Sequence, residues 1–396
     1  MEQIQGGDFM HHTYINAIII VLVVITIVLV VSILMSIPLE VTRYKLKSHK
    51  IPKSFSGKKI LQLSDLHCKE FGKDNIKIIN IINENKPDVI FVTGDMIDGD
   101  NKNYESVLNL MKYISQRYKV YYITGNHEHK ALVKKYRKEY MEYFRELKKL
   151  RINRLNNRKI VVDSNFDIVD NQPILKPKSP AIKDDKYNKT SFKQVEDNSN
   201  LDKGICKPEP KENIDISKNE SKGVDEGMRE KAHHVEKEIE NGNEIDALIK
   251  YNYTKNDSMT DKDTINIYSL ILPFNTYRYL FSNRNVIKVD YDYIRNKLGD
   301  LDRDDYNILL SHNPLYFPSY VKWGTDLVFS GHVHGGIIRL PFFGGLLSPD
   351  RTFFPKYCCG EYKEDNTTMY VTRGLGGSAI RVRINNRPEI IIVEIQ

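Results

Sequence analysis

The amino-acid sequence predicts an α/β fold built from βαβ units, and two patterns in the 396-residue chain support this prediction. Short runs rich in β-branched residues occur at Lys59–Ser64, Asp88–Thr93 and Lys119–Thr124. Stretches with the periodicity of amphipathic helices follow them, near 75–85, 104–117 and 131–149. This alternation is typical of parallel strands joined by helices, so we expect a largely buried sheet.

A long segment from about 165 to 264 differs in composition from the rest of the chain. Charged residues, Pro, Asn and Ser dominate it, and aromatic residues are rare. Such a composition buries too little apolar surface to offset the entropy of ordering the chain. We therefore expect a disordered or loosely helical insert within one domain that spans residues 58–396.

Strand-like runs resume after this insert, which indicates that the same domain is completed there. These runs are Ile265–Leu272, Tyr306–Leu310, Asp326–Phe329, Thr368–Thr372 and Pro388–Ile395.

The N-terminal region predicts a membrane anchor. Residues 15–37 are dominated by Ile, Val and Leu without a charge, and at about 1.5 Å per residue this length covers roughly 30 Å of hydrocarbon. We expect a tail at 1–14, a transmembrane helix at 15–37 and a juxtamembrane linker at 38–57. The basic residues of that linker are Arg43, Lys45, Lys47 and Lys50. Because positive charge is enriched on the cytoplasmic side, the catalytic domain is expected in the cytoplasm of a single-pass protein.

The composition disfavours nucleic acid as a partner. The net charge of +7 comes from Lys and Arg residues that are scattered among 52 acidic residues and do not form one basic arm. The four cysteines show neither Cys-x-x-Cys spacing nor the density of a disulfide scaffold, which favours a reducing compartment.

Three of the predicted strands end in residues that can bind a metal ion. Asp65 and His67 follow the first strand, and extended spacing puts both side chains on one side of the chain. Asp95 follows the second, where its two carboxylate oxygens can bridge two cations. Asn126 and His127 follow the third and place an amide carbonyl beside an imidazole that titrates near neutral pH. Each motif alone is also typical of a turn or a helix cap, but their recurrence favours a site.

Two strands beyond the insert end in imidazoles. His312 follows Ile308–Leu310, and His332 and His334 follow Leu327–Phe329. Ligands collect at the carboxyl ends of strands in α/β sheets. Together, the five strand ends offer two carboxylates, one amide and four imidazoles besides His127, which is sufficient to hold two metal ions.

The order of these motifs resembles the calcineurin-like metallophosphoesterase family. The blocks are Asp-x-His, Gly-Asp, Gly-Asn-His-Glu, a single His and Gly-His-x-His, and the resemblance runs from Lys58 to Gln396 apart from the insert. The blocks at 340–345, 371–376 and 386–390 are similar to the membrane-associated bacterial branch. The resemblance implies an α/β sandwich of two mixed sheets flanked by helices, with a dimetal site at the ends of the strands.

The resemblance also implies a role for each residue of the motifs. The implied metal ligands are Asp65, His67 and His334 for one ion, Asn126, His312 and His332 for the other, and Asp95 as the bridge. His127 would be the proton donor, and Glu128 stands where many members carry an Asp that orients this histidine. Nitrogen and oxygen ligands together suit Mn, Fe or Zn as the divalent ions.

This site predicts hydrolysis of a phosphomonoester, phosphodiester or pyrophosphate bond by a metal-activated hydroxide. The apolar segment 15–37 and the apolar stretch Leu340–Leu347 favour a lipid-linked phosphate ester as substrate. Two alternatives stay open at this point. A nucleotidase or nuclease would use the same residues, and a membrane-anchored scaffold would keep the fold without catalysis, although the complete ligand set favours an enzyme.

Overall fold

The computed structural model describes most of the chain outside the insert. The described residues are 14–16, 18–24, 26–27, 30–31, 34, 38–133, 136–171, 263–273, 276–277, 287–340, 343–349, 352–377 and 383–396. Most of the insert expected at 165–264 and part of the membrane helix expected at 15–37 lie outside these residues. Residues 18–24 are helical. Among the described parts of the chain, no helix is both long and apolar enough to cross a bilayer.

The first sheet contains the βαβ units that the sequence predicts. Its strands are β1 (Glu40–Leu46), β2 (Lys59–Leu63), β3 (Val89–Thr93), β4 (Lys119–Ile123), β5 (Asn153–Arg154) and β15 (Glu389–Ile395). They lie in the order β1-β15-β2-β3-β4-β5. The strands β2, β3 and β4 are parallel, whereas β15 is antiparallel to β2 and β1 is parallel to β15.

The second sheet brings together strands from both sides of the insert. Its strands are β6 (Lys159–Val162), β7 (Ile168–Asp170), β8 (Ile265–Ser269), β9 (Asn307–Leu310), β10 (Leu327–Ser330), β13 (Gly360–Glu364) and β14 (Thr367–Val371). They lie in the order β13-β14-β10-β9-β8-β6-β7. Two further strands, β11 (Ile338–Leu340) and β12 (Gly344–Leu347), form a separate antiparallel hairpin.

Helices cover the outer faces of both sheets. They are α1 (Ile76–Asn85), α2 (Glu105–Ser115), α3 (Asn126–Val133), α4 (Arg137–Lys149), α5 (Tyr291–Leu298) and α6 (Phe317–Trp323). One apolar core joins the first sheet to α1–α4, and another joins the second sheet to α5 and α6. Between the sheets, Phe91 of β3 meets Phe329 of β10 edge to face, with ring centroids 5.3 Å apart. The two-sheet sandwich flanked by helices is therefore confirmed.

The structure differs from the sequence expectations in two places that matter for the site. Residues 40–46, which the sequence assigned to a linker, form β1 along the full length of β15. In place of the single helix expected at 131–149, the structure has two helices, α3 and α4. The first of them, α3, begins at Asn126, directly after β4. This earlier start places Asn126 and His127 in the first turn of a helix at the end of the strand.

The carboxyl ends of strands from both sheets meet at one edge of the sandwich. Gln62 at the end of β2 donates a hydrogen bond from its amide to the carbonyl of Ser330 at the end of β10, at 3.0 Å. The backbone N–H of Gly331 donates to the carbonyl of His312 at 3.0 Å. All the loops that carry predicted ligands therefore converge here, and we call this side of the domain the metal edge.

Candidate metal centre

The backbone at the metal edge adopts conformations that side chains normally avoid. Five predicted ligands have positive φ angles: Asp65 (53°), His67 (48°), Asp95 (52°), His332 (70°) and His334 (54°). A left-handed conformation costs a residue with a Cβ on the order of 1 kcal/mol, so it persists only where surrounding contacts impose it. The clustering of this strain in the ligand loops is typical of a functional site.

Two glycines allow the loops to approach each other closely. A Cβ on Gly125 would fall on the carboxylate of Asp95, and a Cβ on Gly331 would fall on the carboxylate of Asp65. Any side chain at these positions would displace a predicted ligand. The Gly-Asn-His and Gly-His-x-His motifs therefore need glycine for space at the metal edge.

One group of potential ligands combines a carboxylate with two imidazoles. Nε2 of His334 lies 3.3 Å from Oδ1 of Asp65 and 3.1 Å from Nε2 of His67. These three residues are buried, and their ligand atoms lie within 4.8 Å of one another. Two imidazole nitrogens that face each other beside a carboxylate are arranged as they would be around one cation.

A second group forms around Asp95. Its carboxylate lies 3.1 Å from Nε2 of His312 and 3.9 Å from Nε2 of His67, and the ligand atoms of Asp95, His312 and His332 all lie within 4.8 Å of one another. Nδ1 of His312 is 2.7 Å from the carbonyl of Thr93, so Nδ1–H donates there and Nε2 is directed at Asp95. Asp95 thus stands between the two groups.

Asn126 completes the set of predicted ligands. It is only 3% exposed, and its Oδ1 has no hydrogen-bond partner among the described residues. A buried carbonyl oxygen without a partner costs free energy, roughly 1–3 kcal/mol, unless another group satisfies it. A cation at the metal edge would do so, and amide oxygens are suitable ligands.

His127 lies beside both groups, and one of its ring nitrogens lies within 4.8 Å of the ligand atoms of His67 and Asp95. Its ring packs edge to face on that of His67, with centroids 4.4 Å apart. Its Nδ1 lies 3.4 Å from Oδ1 of Asp98. Burial alone would lower the pKa of His127, but the carboxylates of Asp95 and Asp98 raise it above its ordinary value. This shift favours the protonated form that a proton donor needs.

Asp98 is one residue beside the site that the sequence did not predict. The sequence pointed to Glu128 as the carboxylate beside His127, but Glu128 is turned away from that ring. It accepts hydrogen bonds from the backbone N–H groups of Gly125, Asp95 and Met96 at 2.8, 2.9 and 2.9 Å, and from the Tyr122 hydroxyl at 2.8 Å. Glu128 fixes the two loops, and the spacing Asp95-x-x-Asp98 was the available signal for the carboxylate that faces His127.

The charges of the cluster also suit cation binding. Burial lowers the pKa of His67 to about 3 and also holds that of His334 well below its usual value, so both imidazoles are neutral at pH 7. Burial opposes ionisation of Asp95, but the imidazoles of His312 and His127 hold its pKa well below the usual range. Burial raises the pKa of Asp65 to about 6. Burial opposes protonation of His312, but the carboxylates of Asp95 and Asp65 raise its pKa to about 10. This imidazole would therefore release its proton when it binds a metal ion, whereas His67 and His334 are already in the neutral form that binds metal.

The chain is similar to known proteins whose family uses metal ions, as the geometry of the metal edge indicates. The family model for calcineurin-like phosphoesterases matches residues 58–336, which is well over half of the chain. The chain belongs to the calcineurin-like phosphoesterase family. It is a metal-dependent phosphoester hydrolase, and the members of the family use divalent metals.

Three curated phosphoesterases illustrate the range of similarity. The uncharacterized metallophosphoesterase YkuE of Bacillus subtilis is 24% identical over 358 residues, which cover 89% of this chain and 84% of that protein. The UDP-2,3-diacylglucosamine pyrophosphatase LpxG of Chlamydia trachomatis is 36% identical over 106 residues, covering 22% of this chain and 30% of LpxG. The phosphodiesterase YaeI of Escherichia coli is 33% identical over 88 residues, covering 22% of this chain and 32% of YaeI. The similarity to LpxG and YaeI therefore covers about a third of each protein.

The arginines of this phosphoesterase take different places at the metal edge. Arg373 forms ion pairs with Glu389 at 2.8 Å and Glu40 at 3.0 Å, and Arg339 donates a hydrogen bond to the carbonyl of Gly335 at 2.9 Å. Arg381 lies outside the described residues.

Arg383 is a second residue that the sequence reasoning missed. Its side chain is buried, and it donates hydrogen bonds to the backbone carbonyls of Arg373, Gly374 and Gly376. This loop in turn packs on the backbone of Asp65, because the N–H of Gly376 donates to the Asp65 carbonyl at 2.5 Å. Arg383 thus supports the position of a predicted ligand from behind.

Proposed function

We propose that this chain is a membrane-anchored phosphoesterase with a dinuclear metal site. Asp65, His67 and His334 bind one divalent ion, Asn126, His312 and His332 bind the other, and Asp95 bridges the two. The observation that carries the proposal is the overlap of the ligand groups, since Asp95 lies in contact distance of imidazoles from both of them. Mn, Fe or Zn would suit the mixture of imidazole, amide and carboxylate ligands.

The ions and the protein residues divide the chemistry between them. When bound, two divalent ions would neutralise the phosphate oxygens and lower the pKa of a water molecule, which makes hydroxide available near neutral pH. The residues of the chain keep the ligand atoms in a buried and rigid arrangement and provide the proton for the leaving oxygen. His127 supplies that proton in our proposal, with Asp98 orienting its ring.

Two features support a substrate that carries a lipid. The apolar segment 15–37 would keep the enzyme at a bilayer, and the relative LpxG is named for a pyrophosphate that carries acyl chains. The substrate is thus an amphiphilic phosphate ester or pyrophosphate. The basic flank at Arg43–Lys50 favours a catalytic domain on the cytoplasmic side of the membrane.

The test uses the full chain in detergent micelles, because a deletion that removes β1 would expose the edge of the first sheet. Metal content is measured by elemental analysis, and hydrolysis of an aryl phosphomonoester and an aryl phosphodiester is followed with Mn²⁺ and with chelator. We expect two bound ions per chain and turnover that chelator abolishes. A chain that binds no metal would contradict the proposal and favour the scaffold alternative.

A further inference from the structure

The direction of β1 relates the metal centre to the proposed anchor. The strands β2, β3 and β4 end at the metal edge, and β15 is antiparallel to β2, so β15 begins there. Because β1 is parallel to β15, with Glu40 opposite Glu389, β1 also begins at the metal edge. The apolar segment 15–37 ends three residues before Glu40, a span of at most about 10 Å. The proposed anchor therefore enters the domain at the same edge as the metal centre.

Arg373 links this entry point to a ligand loop. Its guanidinium lies 3.0 Å from a carboxylate oxygen of Glu40, the first residue of β1. Its aliphatic stem packs on Gly335, where an added Cβ would lie 2.6 Å from Cγ of Arg373. Since Gly335 follows His334 directly, only one side chain separates the start of β1 from the loop of a predicted metal ligand.

An exposed apolar surface follows the loop of His334 and Gly335 in the chain. It consists of the β11–β12 hairpin and the segment that follows it, and we call it the apolar hairpin: Leu340 (37% exposed), Phe343 (74%), Phe353 (63%) and Phe354 (58%). The three phenylalanines are the most exposed large apolar side chains among the described residues from 38 onward. The base of the hairpin is fixed, because Gly336 packs on Gly345 and Ile338 pairs with Ile384.

Exposed aromatic side chains in this number mark a surface that contacts something apolar. We propose that the metal edge faces the membrane and that the apolar hairpin inserts among the acyl chains of the bilayer beside the metal centre. This inference rests on the proposed anchor and deepens the proposed function, because it names the substrate class as phosphate esters that stay embedded in the bilayer. The tails of such a lipid would remain among the acyl chains while its phosphate group reaches the metal edge.

The bilayer is the occupant that the geometry favours over a second copy or another protein. The proposed anchor and the apolar hairpin belong to one continuous edge, joined through Arg373 and Gly335, so anchoring already brings the hairpin to the bilayer surface. Apolar side chains that enter the bilayer gain the free energy of leaving water, and they need no other partner to do so.

The direct test places a fluorescent probe on the hairpin of the full chain in vesicles. The variant Phe343→Trp is reconstituted into phosphatidylcholine vesicles with or without bromine on the acyl chains, which quenches tryptophan on contact. The matched control is Glu84→Trp, an exposed position near the end of α1 at the opposite edge. The native Trp323 is 2% exposed and provides the same background in both variants.

We expect brominated lipid to quench most of the emission that Phe343→Trp adds, and to leave the emission added by Glu84→Trp unchanged. Equal quenching of the two variants would overturn the inference. The inference would also be overturned if brominated lipid quenched the probe at 343 only when a second copy of the chain is absent. That result would assign the hairpin to contact between copies.

A second variant separates the docking role from the chemistry. Phe343→Ser combined with Phe353→Ser should lose most of its turnover on phosphatidic acid in vesicles while keeping its metal content and its turnover of a soluble aryl phosphate. Equal loss on both substrates, or loss on neither, contradicts a docking role. If the unmodified chain hydrolyses neither substrate while Phe343→Trp is still quenched, the proposed function fails and the membrane contact stands.

Discussion

The two sheets contribute different chemistry to the metal edge. The first sheet supplies the carboxylates of Asp65 and Asp95, the amide of Asn126 and the His127–Asp98 pair, whereas the second supplies only imidazoles. The two proposed ligand groups each join both sheets, since His334 from the second completes the pair Asp65 and His67 from the first, and His312 and His332 from the second join Asp95. The site is therefore a product of sheet packing, with both carboxylates and the His127–Asp98 pair on one side and further imidazoles on the other.

The largest loss of turnover is expected for a substitution of Asp95, whose carboxylate lies near ligands from both sheets. Asp95→Asn removes the carboxylate that faces both ligand groups and should release metal, so turnover should fall by more than the roughly 10²–10⁴-fold typical of losing an acid. Elemental analysis and turnover of the full chain measure this. The control is Asp88→Asn at the opposite edge, which pairs with Lys58 and should change neither quantity. Two ions retained by Asp95→Asn would show that the bridge is not needed.

Removal of His127, the proposed proton donor from the first sheet, should leave the ligand groups intact. His127→Ala is expected to keep its metal content and lose roughly 10²–10⁴-fold in turnover, with a smaller loss on a nitrophenyl ester, whose leaving group needs no proton. The exposed His49 gives the matched control, because His49→Ala should behave as the unmodified chain does. Metal loss in His127→Ala would instead make this residue a ligand.

Two carboxylates near His127 should respond differently to neutralisation. Glu128→Gln replaces an acceptor of four hydrogen bonds with a group that has one acceptor oxygen, and the free energy of unfolding should fall by about 1–3 kcal/mol. Urea denaturation of the full chain measures this loss. If Glu128→Gln unfolds as the unmodified chain does while its pH profile shifts, then Glu128 would be the partner of His127 after all.

Asp98→Asn should change the pH profile with little effect on stability. His127 acts in its protonated form, so turnover is lost as the pH rises through its pKa, and the Asp98 carboxylate is one of the groups that raise that pKa. Its neutralisation should therefore move the alkaline limb of the pH–rate profile to lower pH. Asp100→Asn, two residues away and exposed, should leave the limb in place. An unmoved limb in Asp98→Asn would remove Asp98 from the mechanism.

The positions of the loops at the metal edge could be predicted from the sequence because each loop follows a largely apolar strand. Runs such as Val89–Thr93 are fully buried, and the polar residues that follow them, such as Asp95, meet at the carboxyl ends of the strands. That pattern is local, so no knowledge of the sheet order was needed to find it. The conversion of these loops into shared ligand groups required only the general tendency of strand ends to converge.

Other features depend on contacts between distant segments and could not be read from the sequence alone. The sequence prediction places β1 within the linker at 38–57, although Thr42, Tyr44 and Leu46 alternate as an edge strand does. Tyr44 stacks on Tyr370 of the second sheet, with ring centroids 4.4 Å apart. Likewise, the roles of Asp98 and Arg383 follow from loops that approach them in space.

The most direct test of a shared dinuclear site is electron paramagnetic resonance of the full chain, stripped with chelator and reloaded with Mn²⁺. The account predicts two ions per chain with a spectrum of two exchange-coupled spins, because Asp95 lies between the ligand groups of both sheets. It also predicts that Asp95→Asn abolishes the coupling. A single bound ion, or two ions with the spectrum of isolated Mn²⁺, would contradict it.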